Sequence, residues 1–177
     1  MTEKINRANS SRKRLLLLAL STAIILAIYF LMPGGDQTVD YRHALFGEFY
    51  KPMPNMIDPV SKANVLEINN GYQAYEMGQY KRSIGHFEEK NPMNFTERLY
   101  CGLYYLALEN GKRAIELLGV LKTQSNPNFR DQVDWYYALA LLQDGQFEKT
   151  ISNLEEIMMD QNHTYYAKAE DLFNDLH

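Results

Sequence analysis

The sequence predicts an all-α protein: a transmembrane helix near the N-terminus, then a short α-solenoid of three helix pairs closed by a C-terminal helix. Three observations carry that prediction. A phrase recurs at a period near 34 residues. Apolar positions between the copies follow the helical spacing. An uncharged, strongly apolar run lies close to the start.

The recurring phrase reads Gly78-Gln79-Tyr80-Lys81-Arg82-Ser83-Ile84, shortens to Gly111-Lys112-Arg113-Ala114-Ile115, and returns as Gly145-Gln146-Phe147-Glu148-Lys149-Thr150-Ile151. Its glycines are 33 and 34 residues apart, a period typical of helix-turn-helix repeats in which each unit stacks on the next. Each glycine follows one apolar helical run and precedes another, the place where a residue tolerating positive φ ends the first helix of a hairpin. Because two residues are absent after Gly111, the second copy is expected to turn differently. Phe87, Leu118 and Leu154 fall three residues after the recurring isoleucines and so share their helix face.

Residues 1–14 carry five bases against one acid. Residues 15–32 are uncharged, and eighteen helical residues at about 1.5 Å each reach about 27 Å, close to a hydrocarbon core of about 30 Å. Arg12-Lys13-Arg14 stand at one end and Tyr29-Phe30 near the other, an order that keeps the N-terminus cytoplasmic and puts the repeats outside. A cleaved signal peptide shares the basic start and apolar stretch. The run is longer than an ordinary signal core, however, and Met32-Pro33-Gly34-Gly35 offers no small-x-small cleavage site. The expectation is an uncleaved signal anchor in contact with membrane lipid through 15–32.

Residues 33–57 form a connector. Pro33-Gly34-Gly35-Asp36 breaks the helix at the membrane surface, and residues 40–50 suit a short helix with Ala44, Leu45, Phe46 and Phe49 on its apolar side. Lys51-Pro52-Met53-Pro54-Asn55-Met56 must then be extended, since each proline fixes φ and pushes its predecessor out of the helical region. With Met53, Met56 and Ile57 the segment suits packing against the first repeat better than service as a free tether.

Residues 58–177 carry the repeats, at about 58–91, 94–124 and 128–161, with a capping helix over 164–176. Asp58-Pro59 opens the first helix, and Asn94 with Glu97 three residues on reads as a capping box. The third helix is apolar almost all round, as a helix in the middle of a stack must be. The last has Tyr166, Ala169, Leu172, Phe173 and Leu176 on one side and charge on the other, which suits the end of an array.

These residues together resemble the tetratricopeptide repeat (TPR) family over about 60–177. The Phe-Tyr-x-Pro-x-Pro-Asn phrase before them also looks like a group of bacterial envelope proteins with one membrane span and a small TPR domain. The resemblance implies a concave face lined by the first helix of each pair, holding a protein or peptide. Counting the family's inward positions back from each turn glycine gives Ile68, Tyr72 and Tyr75, then Arg98, Cys101 and Tyr105, then Gln132, Trp135 and Leu139. Tyr and Trp dominate contact energy at protein interfaces, and Arg98 suits a carboxylate.

No catalytic constellation is visible. His43, His86, His163 and His177 lack metal-ligand spacing, Cys101 is the only cysteine and sits in an apolar helix, and neither a nucleophile elbow nor a phosphate loop occurs. Beyond residue 14 the chain holds 13 bases and 21 acids, which argues against nucleic acid. The expectation is therefore a non-enzymatic, membrane-tethered interaction module facing the extracytoplasmic side, with a protein partner and neither cofactor, metal nor small-molecule substrate. The alternative is a structural subunit held in a larger envelope complex by permanent interfaces.

Overall fold

The structure is a computed structural model that describes residues 37–57, 71–90, 92–124 and 126–177. The described residues form eight α-helices and no strand. In chain order they are α1 (Gln37–Phe49), α2 (Gly71–Glu76), α3 (Tyr80–Glu88), α4 (Phe95–Ala107), α5 (Gly111–Lys122), α6 (Arg130–Gln143), α7 (Phe147–Met158) and α8 (Tyr166–Asp175). Two compact units are distinguished, Met1–Asp40 and Tyr41–His177, and of the first only the opening turn of α1 is described. The segment 15–32 expected to cross a membrane, the helix start at Asp58-Pro59 and Ile68 all lie outside the described residues. Among those described, no helix is long and apolar enough to span a bilayer.

The larger unit is a row of hairpins, α2–α3, α4–α5 and α6–α7, each packed on the next and closed by α8 against α7. This helical, repeat-like arrangement fits an α-solenoid. The three hairpin turns are the same structure. Gln79, Asn110 and Gln146 donate their backbone N–H groups to Ala74, Tyr105 and Leu141 at 2.8, 2.7 and 2.9 Å. One residue earlier, Gly78, Glu109 and Gly145 donate to Tyr75, Leu106 and Leu142 at 2.8, 3.0 and 3.0 Å. Paired bonds of this kind are the Schellman closure, and they put the residue before the last in the left-handed region. Gly78 (φ 68°), Glu109 (φ 57°) and Gly145 (φ 78°) are those residues.

The expectation that Gly111 marks a shortened second turn is corrected by this register. Glu109-Asn110 occupies the place of Gly78-Gln79 and Gly145-Gln146, so nothing is missing. Gly111 is the buried first residue of α5, where a Cβ would stand 2.9 Å from both the Ala140 carbonyl oxygen and the Asp144 nitrogen. It is glycine because α5 starts hard against α6.

A second element repeats in the same phase. Seven residues before each left-handed position stand Gly71, Gly102 and Ala138, all buried, and nine after it stand Phe87, Leu118 and Leu154. A Cβ on Gly71 would lie 2.7 Å from Phe87 Cζ, and one on Gly102 would lie 2.8 Å from Leu118 Cδ2, so the missing side chains let the two helices of a hairpin approach. The Ser83 hydroxyl donates to the Gly71 carbonyl across the first of these contacts.

Two local expectations are met. Asn94 and Glu97 form the capping box at the start of α4. Ala169 and Leu172 of α8 are fully buried, with Phe173 and Leu176 packed beside them. Of the apolar residues expected along α1, Leu45 and Phe46 are buried and Phe49 is half-buried, whereas Ala44 is exposed.

Candidate functional site

The first helices of the hairpins, α2, α4 and α6, present a common face, and the connector lies on it. Tyr136 donates its hydroxyl to the Lys51 carbonyl at 2.7 Å. Tyr100 donates to the Pro54 carbonyl at 3.0 Å and accepts the Met56 N–H at 2.9 Å. Asn55 donates through its side-chain amide to Glu76 Oε2 at 3.2 Å, and its Oδ1 accepts the Ile57 N–H at 3.1 Å. Between these bonds Met53 is buried to 2 % exposure, while Pro52 and Pro54 on either side face outward. Alternation of that kind comes from an extended chain whose neighbouring side chains point apart. The connector thus touches the first helix of all three units rather than the first repeat alone.

The end of α1 continues the cover. Phe49 meets Trp135 edge-on at 6.4 Å between ring centroids, and Tyr50 stacks on Phe46 at 4.9 Å and meets Tyr136 edge-on at 6.4 Å. Tyr165 also stacks on Trp135, at 5.4 Å and 4°. Desolvation by burial pushes the phenols of Tyr50, Tyr75, Tyr104 and Tyr136 far above the ordinary value and raises that of Tyr100, so the two hydroxyls that hold the connector, Tyr100 and Tyr136, stay protonated.

Of the residues assigned to the groove from sequence, Tyr72 and Tyr75 are near it. The Tyr72 ring meets Tyr100 edge-on at 5.1 Å and its hydroxyl donates to Thr96 at 3.3 Å; the Tyr75 ring meets Tyr100 and Tyr104 edge-on, each at 5.2 Å. Trp135 and Leu139 are in place but buried beneath other parts of the chain, and Gln132 is half-buried. The second-unit set is turned away. Cys101 is fully buried, Arg98 is half-buried, and Tyr105 donates to Glu88 Oε1 at 2.6 Å with the Arg113 guanidinium 5.9 Å from its ring centre. The cause is the two-residue register error at Gly111, since two helical positions rotate a side chain by about 200°. Counted from Glu109, the residue equivalent to Tyr136 is Tyr100, nine before each left-handed position. The sequence held that signal in its isoleucines, since Ile84, Ile115 and Ile151 each stand six residues after the true turn residue.

Burial, with Glu88 adding to it, holds the Cys101 thiol protonated by pushing it up to about 12. Among the described residues no cluster of three His, Cys, Asp or Glu side chains is arranged to hold a metal. His163 is buried with Nε2 3.5 Å from Asp131 and 3.8 Å from Asp134, and its Nδ1 accepts the Tyr165 N–H at 3.1 Å. Thr164 adds two bonds to Asp131 at 2.8 and 2.6 Å, so this set ties the loop before α8 to α6. A surface pocket of about 450 Å³ beside Phe95, Leu121 and Val133 includes Lys122 and Arg130. Lys122 is already engaged by Asp134 at 3.3 Å and Glu156 at 2.8 Å, which leaves it poorly placed for a further anion.

Comparison with protein-family models, with characterised proteins and with solved structures finds no match to this chain.

Proposed function

We propose that the chain is a non-catalytic, TPR-like protein-interaction module, tethered to the membrane by residues 15–32 with its repeats on the extracytoplasmic side. The observation that carries this reading is the grip of Tyr100 and Tyr136 on the main chain of residues 51–57. Hydroxyls aimed at peptide carbonyls and at an N–H hold an extended chain whatever its side chains, and an apolar slot between them takes one side chain. That division between backbone grip and side-chain pocket is the general logic of extended-peptide recognition. The basic residues before 15–32 support the orientation, and tethering raises the effective concentration of the module toward partners at the same surface.

Crosslinking in intact membranes, followed by identification of the attached protein, tests this reading directly. A specific extracytoplasmic protein is the expected product. A second reading, a fixed structural subunit, is favoured by the burial of Tyr75, Trp135 and Leu139, because a face already filled has no need of an exchanging ligand. That reading calls for a stoichiometric partner that survives detergent.

A further inference from the structure

We propose that residues 51–57 are a displaceable internal ligand. The tyrosine-lined face exchanges them for a partner segment of the same chemistry: extended, proline-containing, uncharged after its first residue, with one flexible apolar side chain at the Met53 position. This rests on the interaction-module reading and adds to it what the partner looks like and what must leave before it binds.

Two features support exchange. The first is spacing. Tyr100 and Tyr136 occupy the same repeat position on neighbouring helices α4 and α6, and the carbonyls they hold, Lys51 and Pro54, are three residues apart. Three residues of polyproline-type chain advance about 9 Å, close to the about 8–10 Å between packed helix axes. One tyrosine from each of these two repeats therefore meets one turn of such a chain, a register open to any segment that holds this backbone shape. Prolines favour it because their φ is already set, so less freedom is lost on docking.

The second feature is how little side-chain burial anchors the resident segment. Met53 is its single buried apolar side chain, and Asn55 the single buried polar one, whereas Met56 and Ile57 remain 48 % and 42 % exposed. Upstream, Leu45 and Phe46 of α1 are buried and Phe49 lies against Trp135, so α1 can stay docked while 51–57 detach. A thioether suits a slot that must accept more than one occupant, being unbranched and adaptable.

The test uses the full-length protein in detergent and a fluorescent nine-residue peptide copying 49–57, Phe-Tyr-Lys-Pro-Met-Pro-Asn-Met-Ile. Met53→Asp in the protein removes the resident anchor, and peptide affinity is expected to rise at least tenfold over the unaltered chain. The same peptide with aspartate at its own anchor position should not bind, and Tyr136→Phe in the Met53→Asp background should weaken uptake severalfold. A Met53→Asp protein of unchanged helicity that takes up no peptide overturns the proposal. Should that variant fail to fold, amide hydrogen exchange on the unaltered protein decides. Excess peptide should deprotect the Met56 amide, which donates to Tyr100, and leave Leu139 in α6 unaffected. Unchanged protection of Met56 overturns exchange. Membrane crosslinking separates this failure from failure of the wider reading: a partner captured equally by the unaltered and Met53→Asp proteins keeps the interaction module and removes the latch.

Discussion

Glu109 sits at φ 57°, a region where an ordinary side chain costs about 1–2 kcal/mol relative to glycine. Glu109→Gly is expected to stabilise the protein by about 1 kcal/mol in urea denaturation, and a loss of stability would contradict the turn register. Gly102→Ala should do the opposite. Its Cβ would stand 2.8 Å from Leu118 Cδ2, and overpacking of this kind costs about 1–3 kcal/mol. These two positions also explain what the sequence hid. Glycine marks the first and third turns because backbone geometry asks for it there, but in the second unit the strained position is filled by glutamate and the nearby glycine answers a packing demand. A reading that follows glycine alone slips by two residues and rotates Arg98, Cys101 and Tyr105 away from the face.

The same scale sets a pH dependence. Tyr50, Tyr75, Tyr104 and Tyr136 have phenols raised by burial, so the fold binds their protons more tightly than the unfolded chain, whose tyrosines titrate near about 10. Below that pH both states are protonated and stability does not depend on these groups. Above it the unfolded chain ionises first, so stability must fall as pH rises. Denaturation measured at pH 9 and pH 11 should show a clear loss, and equal stability at both would contradict burial of the cluster.

At the level of elements, the start of α4 was fully legible because its causes are local. Asn94 accepts the Glu97 N–H at 3.0 Å, and Glu97 accepts the Asn94 N–H at 2.9 Å and Lys90 Nζ at 2.6 Å. Asn94→Ala should cost about 1 kcal/mol. The apolar side of α8 was equally plain, since a one-sided helix advertises which face it buries. The face of α6 was not. Trp135 has the residue type of a binding hot spot, yet it is 1 % exposed because Phe49 and Tyr165, 86 residues before it and 30 after, close over it. No window of sequence around Trp135 contains either ring. Trp135→Ala is accordingly expected to lower global stability by about 3–5 kcal/mol, read by thermal or chemical unfolding, and not to act on binding alone. An unchanged Tm would return Trp135 to the surface.

Across the unit Tyr41–His177, α1 and the connector are as much part of the fold as the repeats. The Tyr41 hydroxyl donates to the Asp175 carbonyl at the end of α8, Arg42 lies against the third turn at Gly145, and Asn55 reaches α2, so this one segment touches both ends of the hairpin row. The sequence showed hairpins and a sticky connector as separate facts. It did not show that the second occupies the surface the first would offer a partner, because that depends on the rotation of α4 and on contacts between residues 44 and 85 positions apart. The account accordingly predicts nuclear Overhauser contacts from the Trp135 indole to both the Phe49 and Tyr165 rings in the full-length protein. Contacts to Tyr165 without any to Phe49 would contradict it, since the face would then be open and the connector would lie elsewhere.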